Sequence, residues 1–155
     1  MRYIFLLLFA FSLPSQIVPH EAHAQSTSVE GLWLTQNKRS VIKVDVCENG
    51  KSLCGQIHWI IEGGMQFDTK NPDESRRNLP MCGLPILWSF EQKDQNNWTG
   101  GRIYKADDGD IYKANVTLLG PNTLKVRGYV GLPMFGKSQS WTRVSEEAYP
   151  QCKRP

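Results

Sequence analysis

Gly31-Leu32-Trp33 opens a run of strand-like sequence, and seven further runs follow it along the chain. The runs cover residues 29–35, 41–47, 54–61, 85–91, 98–105, 111–119, 123–130 and 137–144. In the second, Ile42, Val44 and Val46 alternate with Val41, Lys43 and Asp45, a period of two that gives a strand one polar face. Short turn signals separate the later runs, at residues 93–97, Asp108-Gly109, Gly120-Pro121-Asn122 and 132–136. No stretch of helical period is long enough for a crossover between parallel strands, so sequential antiparallel pairing is expected. Eight strands joined this way predict an all-β, up-and-down antiparallel barrel. Closure removes both sheet edges and leaves room for one small ligand. A two-sheet sandwich with a filled core is the alternative use of the same runs.

Within a closed barrel the first and last strands are neighbours. Trp33 is then expected to point inward at the barrel floor. Arg143, on the last run, comes beside it. An arginine stacked on an indole contributes roughly 0.5–2 kcal/mol. The alternative is that Arg143 faces solvent. Both residues read as structural.

The first 24 residues read as a secretory leader. Arg2 supplies the positive end, residues 4–13 the apolar run, and Ala22-His23-Ala24 the cleavage site, leaving 25–155 as a single domain. The apolar run falls short of the roughly 20 residues that span a bilayer, and His20 and Glu21 prevent its extension toward the cleavage site. No stable membrane anchor is expected. The net charge is +3, with acids and bases interspersed, so nucleic-acid binding is disfavoured. Removing the leader also removes two of the three histidines and leaves His58. A lone strand histidine is more often packed or exposed than catalytic. No nucleophile motif recruits it, and the carboxylate pairs Asp107-Asp108 and Glu146-Glu147 read as solvated charges in a turn and a tail.

Four cysteines in an exported chain imply disulfides. Cys47 with Cys54 and Cys82 with Cys152 is the expected pairing. A four-residue loop over 49–52 places Cys47 directly opposite Cys54, whereas a tight Asn49-Gly50 turn places Cys47 opposite Ser52 and loses the bridge. The oxidising compartment argues for the disulfide. Zinc fits poorly, since no C-x-x-C pair exists, and no cofactor is expected.

Residues 62–80 form a polar segment longer than an ordinary connection. Asn71-Pro72-Asp73 is expected to start one helical turn there, with Asn71 as N-cap and Arg76 and Arg77 at its end. The segment either covers one barrel mouth or lies as a surface loop. On the later strands Arg102 shares a face with Tyr104, and Arg127 shares one with Tyr129. Facing inward, either set gives a cavity an arginine with a phenol; facing outward, they are solvated.

The chain resembles a bacterial family of exported proteins, domain-of-unknown-function family 2147, over about residues 29–144. Its marks are Gly31-Leu32-Trp33, Leu53-Cys54-Gly55 and, in the long segment, Asp68, Asn71-Pro72, Arg77 and Leu79. They continue with Cys82-Gly83-Leu84, Gly100-Gly101-Arg102-Ile103-Tyr104, Asp108-Gly109 and Tyr112, then Leu124-Lys125-Val126-Arg127-Gly128-Tyr129. Gly136, Gln139, Trp141 and Arg143 complete the set. The chain departs at Ala106, where the family's turn often carries proline, and Cys152 lies outside the pattern. The resemblance implies a lipocalin-like barrel and an exported binding protein with no established ligand.

The expectation is therefore a periplasmic or secreted barrel, not an enzyme, that binds a small, partly apolar molecule. Tyr104, Arg127 and Gln139 are candidate polar anchors, and Asp68, Asn71 and Arg77 are expected to shape one opening. An envelope scaffold without an internal ligand is the alternative, with a solid core and an exposed patch at Leu132-Pro133-Met134-Phe135. A hydrolase or isomerase comes last.

Overall fold

Strand period and turn chemistry together produce the eight strands seen in the computed structural model, which describes residues 28–47, 50, 52–61 and 63–153. Residues 1–24, expected to be a leader, the residues Glu48, Asn49 and Lys51, and Glu62 lie outside the described residues. The strands are β1 (Gly31–Leu34), β2 (Ser40–Val46), β3 (Ser52–Ile60), β4 (Pro85–Asp94), β5 (Asn97–Lys105), β6 (Asp110–Gly120), β7 (Thr123–Tyr129) and β8 (Lys137–Val144). Each pairs antiparallel with its neighbour in sequence, and β1 pairs with β8, so the sheet closes into a barrel. A sandwich is excluded by that last pairing. The first strand is shorter than its apolar run. β4 is longer than expected and continues to Asp94, so the turn after it is tighter than the 93–97 segment predicted.

The closing seam explains the Gly-x-Trp pattern. Trp33 and Arg143 are directly opposed across β1 and β8, and the guanidinium lies 4.2 Å from the indole centre. Gly31 has φ +137°, and a Cβ there would sit 2.5 Å from Arg143 Nη1. Glycine clears the space that the arginine occupies, and tryptophan supplies the surface it stacks on. Arg143 then donates to the carbonyls of Glu30 (2.8 Å), Pro121 (2.5 Å) and Ser28. Trp33 is fully buried and donates its indole N–H to the Val29 carbonyl at 2.9 Å. One arginine therefore ties the entering chain, the β6–β7 turn and both seam strands together.

Above this floor the lower half of the barrel is filled. Ile42, Val44, Leu53, Phe90, Leu124 and Trp141 are all almost wholly buried there. The Phe90 ring lies flat against Gly101, where a Cβ would come within 2.3 Å of it.

Both disulfides form as expected: Cys47–Cys54 with Cα atoms 5.5 Å apart and Cys82–Cys152 with Cα atoms 5.9 Å apart. The hairpin register differs from the direct opposition expected for the first bridge. Cys47 N–H donates to the Ser52 carbonyl at 2.7 Å, and Asp45 is the residue opposite Cys54. The bridge is therefore diagonal, which the 5.5 Å Cα separation permits. The second disulfide closes a far longer loop and, on chain entropy, contributes about 4 kcal/mol. It draws the tail back along β3, where Cys152 N–H donates to the His58 carbonyl at 2.8 Å. His58 Nε2 meets the Tyr149 carbonyl at 2.9 Å, which requires the proton on that nitrogen. His58 is thus a buried strut for the tail.

Replacing Arg143 with alanine is expected to lower the unfolding free energy by about 1–3 kcal/mol through loss of the stacking and the three carbonyl bonds. Urea denaturation followed by tryptophan fluorescence measures it, and Lys at the same position recovers only a fraction.

Candidate functional site

Side-chain size decreases along the inward face of β7 from the floor toward the other end. On β7 the inward residues are Leu124, Val126 and Gly128, and opposite them on β8 stand Trp141, Gln139 and Lys137. Gly101, Ala114 and Gly128 are neighbours across β5, β6 and β7, a row with almost no side chain. Phe90 fills the space in front of Gly101. Nothing comparable fills the space in front of Gly128, where a Cβ would make only ordinary contacts, at 3.6 Å with Ile103 and 3.8 Å with Tyr112. The result is a cavity of about 490 Å³, open at this end.

Its walls are largely apolar: Ile57, Ile103, Val126 and Trp141 below, with Met65 and Met81 nearer the mouth. Polar atoms enter from Ser40, Tyr112, Gln139 and Lys137. Two ion pairs border the mouth. Arg39, after the β1–β2 turn, meets Asp107 of the β5–β6 turn at 2.8 Å, joining hairpins on opposite sides of the barrel. Lys105 pairs with Asp108 within the β5–β6 turn. Both are half-exposed pairs of the kind that contribute little to stability.

The long segment between β3 and β4 is held down by one buried network. Asp68 is fully buried and accepts from the Tyr104 hydroxyl at 2.5 Å and from Asn71 Nδ2 at 2.7 Å. Arg77 Nε donates to the Asn71 carbonyl at 2.9 Å, and its Nη1 pairs with Glu74. Burial, then the neighbouring Asp68 carboxylate, hold the Tyr104 phenol above its ordinary range, so it remains a proton donor to Asp68. The short helical turn forms as a 3-10 turn over Glu74–Arg76. Its N-cap is Asp73, which accepts from Ser75 N–H; Asn71, the expected cap, instead accepts from Asp73 N–H at 3.0 Å and steers the chain into the turn.

The candidate residues therefore separate. Gln139 lines the cavity, and its Oε1 accepts the Trp141 indole N–H at 3.0 Å. Tyr104 borders the cavity, but its hydroxyl is committed to Asp68. Asp68, Asn71 and Arg77 come together, bonded to one another and not turned into the cavity. Arg127 is a correction. Val126 and Gly128 take the inward face, so alternation turns Arg127 outward. There it donates to the Pro133 carbonyl (2.8 Å), the Met134 carbonyl (3.2 Å) and Ser138 Oγ (2.9 Å), pinning the β7–β8 connection. Lys137 was not singled out by the sequence reading. Its signal was present: counting back by twos from the buried Trp141 reaches Gln139 and then Lys137.

The profile of a family described as "Uncharacterized protein conserved in bacteria (DUF2147)" matches residues 31–143. No curated protein matches the chain. Among solved structures, the Helicobacter pylori protein HP1028, described as belonging to the lipocalin family, is similar at 23% identity with a TM-score of 0.70. The likeness covers 79% of this chain and 87% of that one. A redesigned β-barrel aligns at 14% identity with a TM-score of 0.42, over 79% of this chain and 96% of its own. The Helicobacter likeness places the fold among lipocalin-like barrels.

Tyr104→Phe is expected to leave the buried Asp68 carboxylate one donor short and to cost about 1–3 kcal/mol. Hydrogen exchange should accelerate selectively across residues 63–84, with little change in β7 and β8.

Proposed function

The chain belongs to the bacterial family DUF2147, and from that membership together with the cavity we propose that it is an exported, non-enzymatic barrel that holds one small, partly apolar molecule. The observation that carries the reading is the cavity itself. Its volume of about 490 Å³ falls in the range of roughly 300–1,000 Å³ typical of small-molecule sites, and a mostly apolar wall with few polar groups is their usual chemistry. Gln139 acts as a polar anchor in the wall. Tyr104, Asp68, Asn71 and Arg77 act indirectly, by fixing the long segment that borders the opening.

Export to the periplasm or the medium rests on the leader-like residues 1–24 and on two disulfides, which persist in oxidising compartments. No helix among the described residues is long and apolar enough to cross a membrane. The non-enzymatic reading rests on His58, whose ring is bonded to a backbone carbonyl and to no nucleophile. One feature favours the scaffold reading: Leu132, Met134 and Phe135 are exposed at 58%, 72% and 75%. That reading also calls for a filled interior, and the cavity weighs against it.

Filling the space at Gly128 tests the proposal. The wild-type protein is expected to bind N-phenyl-1-naphthylamine, a neutral apolar fluorophore, saturably and one to one. Gly128→Phe should weaken that binding at least tenfold while the circular dichroism spectrum is kept, with Gly128→Leu intermediate. Equal binding by all three would overturn it. Intact-mass measurement of protein recovered from the periplasm or medium should show a chain that begins at Gln25.

A further inference from the structure

The polar groups on the inner wall of β8 are arranged to receive a negative charge. Lys137 stands opposite Gly128, at the end of the row Gly101–Ala114–Gly128. It is on the inward face of its strand, borders the cavity, and has glycine and then alanine in register with it across β7 and β6. The other cations at the mouth are paired: Arg39 with Asp107, Lys105 with Asp108. Lys137 takes part in none of the ion pairs among the described residues.

Gln139, two residues deeper on the same face, adds a second donor. An amide offers one acceptor oxygen and two N–H donors. Its oxygen is taken by the Trp141 indole, and this fixes which end of the amide is free. The NH2 end remains, on the same strand face as Lys137. Two donors therefore meet in one strip near the mouth, while Ile57, Val126 and Trp141 make the deeper wall apolar.

We propose that the cavity takes a single-chain amphiphile with a carboxylate head, its tail directed at Trp141 and its head held at the mouth by Lys137 and Gln139. This rests on the small-molecule reading of the cavity and adds the chemical class. Lys137 is exposed at the rim, and a neutral head offers its ammonium no counter-charge. A carboxylate accepts charge-assisted hydrogen bonds from both donors. The arrangement also sets polarity of entry: the tail goes in first, because the cation is on the first residue of β8 at the rim and the apolar floor lies beneath.

Decanoate and decanol, which share a chain length and differ in head charge, separate the head-group assignment from the cavity reading beneath it. Binding is read by calorimetry and by the change in tryptophan fluorescence, to which Trp141 in the cavity wall contributes. Wild-type protein is expected to bind decanoate at least tenfold more tightly than decanol. Lys137→Met should bring the two within threefold by weakening decanoate alone, and Lys137→Arg should restore most of the preference. Gln139→Leu should lower it by a smaller factor. A tenfold preference that survives Lys137→Met overturns the inference, as does a wild-type protein with no preference. If decanol and decanoate bind equally and Gly128→Phe abolishes both, the head-group assignment fails and the cavity reading stands. If neither binds and the neutral fluorophore does not bind either, both fail.

Discussion

A guanidinium on an indole holds the barrel shut. The β1–β8 seam joins the shortest strand to the last one, and it is the pairing with the greatest separation in sequence. Bringing such distant segments together costs chain entropy before any contact repays it. Arg143 concentrates the compensating contacts in one residue, through the stack on Trp33 and bonds to three carbonyls from two separate parts of the chain. Gly31 makes the arrangement possible by having no Cβ where the guanidinium lies. With that end closed and packed, the cavity opens at the other.

The difference between a filled barrel and a hollow one comes down to the row across β5, β6 and β7. At Gly101 the missing side chain is replaced by the Phe90 ring, and the core is dense. At Gly128 it is replaced by nothing, and the cavity begins. The same residue type therefore has opposite consequences two strands apart, because what approaches it from across the barrel differs. The walls that remain are apolar, and the groups that interrupt them near the mouth include the two donors on β8, Lys137 and Gln139.

The mouth is bordered by connections held down by their own polar side chains. Tyr104, Asp68, Asn71 and Arg77 spend their polar atoms on one another, which turns a long polar segment into a fixed border. Arg127 does the same for the β7–β8 connection from the outer face. Cys82–Cys152 and the His58–Tyr149 bond fasten the tail over β3. Rigid borders of this kind preserve a cavity that apolar collapse would otherwise close.

Much of this was readable along the chain. Strand number, antiparallel order, the inward Trp33 with Arg143 beside it, and both disulfides follow from periodicity, turn residues and cysteine count, all of which are local or additive signals. Asp68, Asn71 and Arg77 could be grouped because they share one short polar segment. What the sequence could not carry was the direction of particular side chains and what meets them. Arg127 faces outward because Val126 and Gly128 claim the inside, and a polar strand residue does not reveal its face until its neighbours across the sheet are known. Cys47 and Cys54 bridge diagonally because the hairpin register is decided jointly by its turn and by β1 and β4 on either side. Alternation back from Trp141 puts Lys137 on the inner face, but only the pairing with Gly128 sets it beside open space. Alternation along a strand is a one-dimensional property and is written in the sequence. An empty volume is a property of many strands at once, and only the closed barrel determines it.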